Sequence, residues 1–86
     1  MKIQDLLEMN DECFLACVLK DDGGVIFSEV HDSEYYGFEL EGFINGSGIH
    51  FETIPTVESY YRNNYKSFYV FDDENDAHEK ANELEQ

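Results

Sequence analysis

The chain has 86 residues, the size of one small domain, and its 20 Asp and Glu against 5 Lys and Arg give a formal charge of -15. So negative a chain repels phosphate at ordinary salt, which excludes direct nucleic-acid binding, and no apolar run approaches a membrane span. Low hydropathy at high net charge is a composition typical of disorder, but 7 Phe, 6 Tyr and many Val, Ile and Leu supply the material of a packed sheet.

Taken in chain order, Ile3, Leu6 and Leu7 share one helical face, so residues 3–9 are expected to form a short amphipathic helix that Asn10 and Asp11 end. Asp5 and Glu8 interrupt this apolar cluster, which therefore does not read as a signal peptide. Cys13 to Leu19 is apolar at successive positions, as in a strand covered on both faces, although so short a run also suits a helix. Asp21-Asp22-Gly23-Gly24 tolerates positive φ and predicts a hairpin, with Val25 to His31 as the partner strand.

From Tyr35 to Ile44 the residues alternate, with Tyr36, Phe38, Leu40 and Ile44 on one side and Tyr35, Glu39, Glu41 and Phe43 on the other. Asn45 to Gly48 predicts a second hairpin turn, followed by a strand from Ile49 that Pro55 stops. Residues 56–64 read either as helix capped by Thr56 or as a strand turning at Asn63-Asn64. Tyr65 to Phe71 is expected to be a strand. Asp72-Asp73-Glu74 then suits a helix N-terminus, and Ala77, Ala81 and Leu84 give that helix a thin apolar stripe. The expected fold is a single α+β domain over residues 1–86, a twisted antiparallel sheet of four to six strands with short N-terminal and C-terminal helices on one face.

The carboxylates are the strongest functional signal, because nine of them and no Lys or Arg lie between Lys20 and Arg62. Strand residues two apart point the same way at a separation of about 6.8 Å, so Glu39 and Glu41 form a short anionic row. Asp32 and Glu34 are candidates to extend it, and Glu29 and Glu52 to join it from neighbouring strands. Duplex DNA offers basic clefts a dense phosphate array, and carboxylates at similar density can occupy such a cleft. The bland alternative is a solvated face that confers solubility. Tyrosine is the second signal, since it brings large contact area at low entropy cost, and Tyr35 is the candidate anchor beside the acidic row.

Neither a metal centre nor a catalytic site is expected. Cys13 and Cys17 on a strand stand about 13 Å apart, too far to share a zinc ion, and Asp72, Asp73 and Asp76 lack the glycine turn and terminal Glu of a calcium loop. The two thiols suit a reducing cytoplasm, the host's if the protein is phage-encoded. No nucleophile elbow or phosphate-binding glycine loop is present, so the chain is expected to bind rather than catalyse, without a cofactor.

In size, acidity and tyrosine content the chain resembles the small phage and plasmid proteins that mimic DNA or inhibit nucleic-acid-handling enzymes, such as anti-restriction and anti-CRISPR proteins. The resemblance is one of composition and carries no motif. It implies a stoichiometric inhibitor whose partner is a basic protein surface on a nucleic-acid-binding enzyme or effector complex, and an immunity protein against a basic nuclease would use the same physics. The rival reading is a metabolite- or nucleotide-binding module, homodimeric, in which the acidity is incidental.

Overall fold

Ile3, Leu6 and Leu7 are all buried and define the inner stripe of α1 (Ile3–Asn10). The helix stops at Asp11, whose left-handed backbone (φ 60°) lets its N–H reach the Leu7 carbonyl. The computed structural model describes residues 2–33, 39–44 and 47–86, with backbone alone at 32–33, 39–44 and 47. Tyr35 to Phe38 and Asn45-Gly46, expected in a strand and a turn, lie outside the described residues.

The strands are β1 (Glu12–Leu19), β2 (Val25–Ser33), β3 (Glu39–Ile44), β4 (Ser47–Phe51) and β5 (Tyr65–Phe71). They form one antiparallel five-stranded sheet in the order β4-β3-β2-β1-β5. Between β1 and β2 the Asp22 carboxylate accepts from the Gly24 N–H at 2.8 Å, while Gly23 takes φ +73°, which its missing Cβ permits.

Residues 54–64 form a helix, α2 (Ile54–Asn64), which decides the alternatives left open by the sequence. Its cap is Thr53 rather than Thr56, with the Thr53 hydroxyl accepting from the Thr56 N–H at 3.3 Å. Pro55 sits in the first turn, where its missing N–H costs nothing. The last helix, α3 (Glu74–Glu85), starts at Asp73, whose carboxylate accepts from the Asn75 N–H at 2.7 Å.

One feature of the expected fold is corrected, because the helices divide between the two faces of the sheet. Cys13, Leu15 and Cys17 of β1 and Val30 of β2 join α1 and α2 in a core with Phe51, Val57, Tyr61 and Tyr65. On the opposite face α3 packs across β1, β2 and β5, with its buried Ala77 and with His78 stacked on Phe27 at 4.0 Å. The reason lies in β1, where five successive residues, Cys13 to Cys17, are buried. A strand apolar on both faces needs cover on both, and helices confined to one would leave Phe14 and Phe27 in water.

Candidate functional site

Strand order fixes where the charged residues collect, because an antiparallel chain returns to the same end of the sheet at every second reversal. The α1–β1, β4–α2 and β5–α3 reversals all lie at the end where β1 begins and β2 finishes. They carry Asp11 and Glu12, then Glu52, then Asp72, Asp73 and Glu74. The backbone places Asp32 and Glu39 at this end too, opposite Leu40 and Ser33 respectively.

Three of the five cations lie at the other end of the sheet. Lys20 Nζ donates to the Asn63 carbonyl at 2.6 Å, neutralising the negative C-terminal end of α2, and Arg62 bonds Glu58 at 2.6 Å along the same helix. Lys66 enters β5 at this opposite end of the sheet, and Lys2 precedes α1. Lys80 lies over the Tyr69 ring, 4.6 Å from its centroid. The fold thus separates charge along the strands, with one end anionic and the other close to balanced.

A second grouping runs across the strands. Backbone pairing aligns Glu12 with His31, His31 with Glu41 and Glu41 with His50, one row over four strands. Glu29 is two residues from His31 along β2 and so lies on the same face. His31 sits between two carboxylates, its Nδ1 3.4 Å from Glu12 and its Nε2 3.4 Å from Glu29, with its ring edge-on to Phe14. The face is the one that α3 covers over β1, β2 and β5.

Of the residues predicted to form the site, Glu29, Glu39 and Glu41 therefore hold positions of one alternation set. Asp32 belongs to the other set, paired with Leu40, so it does not extend their row, although it shares their end of the sheet. Glu52 is exposed just after β4. Glu34 and Tyr35 lie outside the described residues.

Of the described tyrosines, Tyr60, Tyr61 and Tyr65 turn inward. Tyr61 and Tyr65 are buried, and Tyr60 packs on Phe51 with ring centroids 5.3 Å apart. The Tyr61 hydroxyl is hydrogen-bonded to the Ser28 hydroxyl inside the core. These rings build the packing between α2 and the sheet, so they are not available as anchors for a partner. The exposed large apolar side chains among the described residues are Met9 and Tyr69.

Glu12, Asp11, Asp72 and Asp73 were missed by reading the carboxylate run between Lys20 and Arg62 as the whole signal. They are far from it in sequence, and the signal that finds them is the parity of chain reversals. Among the described residues no three His, Cys, Asp or Glu side chains gather as ligands for a metal ion, and no helix is long and apolar enough to cross a membrane. Burial pushes the Cys13 and Cys17 thiols up to about 12, so neither is an activated nucleophile. Compared with protein-family models, curated proteins and solved structures, the chain matches none.

Proposed function

We propose that this protein is a stoichiometric inhibitor of the phage or plasmid kind, anti-restriction, anti-CRISPR or immunity-like, whose acidic end occupies a cationic nucleic-acid site on another protein. It acts by binding, without chemistry of its own. The observation that carries this reading is the segregation of charge. Asp11, Glu12, Glu52, Asp72, Asp73 and Glu74 share one end of the sheet, while at the other Lys20, Arg62 and Lys66 offset Asp21 and Asp22. Acidity retained only for solubility has no reason to concentrate in this way, since carboxylates dispersed over the surface dissolve a domain without building a large single-sign field. A concentrated anionic end presents a strong local field, steers a basic partner into register and rejects acidic competitors.

The test compares charge reversals at the two ends. Wild type, a Glu52→Lys/Asp72→Lys variant and an Asp21→Lys/Asp22→Lys variant are immobilised and exposed to bacterial lysate at about 50 and about 500 mM salt, with duplex DNA as competitor. Wild type is expected to retain a nucleic-acid-binding protein at low salt and to release it to DNA. Reversal at the acidic end is expected to abolish that capture, and reversal at the β1–β2 turn to spare it. Equal losses from both reversals would mean that only total charge matters, which overturns the reading.

A further inference from the structure

Among the described residues, the acidic end carries an apolar feature at α1. Between the last turn of α1 and Asp72, just past β5, an open groove of about 370 Å³ is lined by Asp5, Leu6, Glu8, Met9, Asn10 and Asp72. Leu6 is buried at its base, whereas Met9 is 76 % exposed. A methionine so exposed contributes little to folding, but its flexible, polarisable thioether adapts to whatever packs on it.

The rim is anionic. Asp5, Glu8 and Asp72 surround the apolar base, and Glu8 accepts from the Gln4 side-chain amide at 3.3 Å. The last turn of α1 carries no basic residue, so the negative end of that helix reinforces the carboxylates. At the far end of the sheet the corresponding position, the C-terminus of α2, has Lys20 bound to its Asn63 carbonyl. The C-terminus of α1 has no such cation from its own last turn.

An occupant matching both features is apolar along its stem and cationic at its tip. Arginine meets this better than lysine, because the guanidinium is weakly hydrated, lies flat against apolar atoms and directs several N–H donors at carboxylates in its own plane. We propose that the groove seats an arginine side chain of a basic protein partner, with its stem and guanidinium face against Met9 and its donors on the Asp5 and Asp72 carboxylates. This inference rests on the acidic-end reading and deepens it. The distributed charge attracts the partner, and the groove supplies an anchoring contact that fixes register.

The probe is an acetylated, amidated octapeptide of alternating Arg and Leu, with a Lys-Leu peptide of equal charge as control. Each is titrated into the full ¹⁵N-labelled chain at low salt. The Arg peptide is expected to move the amide signals of residues 5–10 and 72 and to bind at least about fivefold more tightly than the Lys peptide. Met9→Ala changes no charge and removes a solvent-facing side chain, so it is expected to leave thermal unfolding unchanged while erasing the preference for Arg. Equal affinities for the two peptides, unaffected by Met9→Ala, would overturn the groove and leave the acidic end as a general attractor. Failure of both peptides to bind would overturn the acidic-end reading with it. Movement of the same signals with protein concentration alone would assign the groove to a second copy, which also overturns the proposal.

Discussion

The Tyr61 hydroxyl is hydrogen-bonded to the Ser28 hydroxyl inside a core built mainly of aliphatic, sulfur and aromatic side chains. Tyr61→Phe deletes this buried hydrogen bond, and the expected loss is about 1 kcal/mol. In urea titrations the midpoint falls while the slope is retained; an unchanged midpoint would mean that the bond adds nothing to stability. The buried acids also set a pH limit. Cys13 is raised to about 12 by burial and then by Glu12, Cys17 to about 12 by burial and then by Cys13, and Tyr61 is raised by burial against the opposing Ser28 bond. Unfolded, these groups ionise near their ordinary values of 9.0 for Cys and 10.0 for Tyr. Above those values the unfolded chain releases protons that the folded chain keeps, so stability is full below about pH 9 and falls as pH rises towards 12, by up to about 1.4 kcal/mol per pH unit for each group. Urea midpoints measured at about pH 8 and about pH 11 are expected to show this loss, and Cys17→Ala to make it shallower. Burial of the two thiols was legible in the apolar run around them. The inward turn of Tyr60, Tyr61 and Tyr65 was not, because a residue with strong strand preference and a polar tip suits a core and an interface equally well.

Among the helices, α3 has the fewest buried residues. Its buried residue is Ala77, and its first turn contains Glu74 and Asp76, whose charges the helix dipole favours. The Asp73 cap therefore matters. Asp73→Ala is expected to lower stability by about 1 kcal/mol, whereas Asp73→Ser, which removes the charge but keeps an acceptor oxygen, should lose less than about half of that. Equal losses in chemical denaturation would assign the effect to charge rather than to capping. The same local chemistry made α3 and β5 readable from sequence. In α2 the buried residues Val57 and Tyr61 are four apart, a helical spacing, but Tyr60-Tyr61 also has strand preference and the short segment gave no length to arbitrate. Pro55 marked the end of the strand ladder and was in fact the first turn of the next helix.

For the whole molecule, a charge of -15 with a cluster of carboxylates at one end of the sheet stores repulsion in the folded state that the expanded chain relieves. Added salt screens it. The urea midpoint is expected to rise between about 20 and about 500 mM sodium chloride, and an Asp72→Asn/Asp73→Ser variant to gain less from salt than wild type. A midpoint indifferent to salt would mean that the acidic end is not strained by its own charge. The same repulsion is what a cationic partner removes on binding, so variants stabilised by neutralising this end are expected to lose affinity. Stability and recognition are opposed here because both depend on the same uncompensated carboxylates.

Length, alternation and turn chemistry were enough to determine the α+β class, the strands and the surplus of negative charge, because each is decided by residues a few positions apart. Where that charge would gather was decided by the tertiary structure alone. Glu12 and Asp73 meet at one end because β1 and β5 pair antiparallel, and α3 covers the face opposite α1 because β1 is apolar on both sides. These are consequences of pairing and packing between segments distant in the chain, which no local window contains.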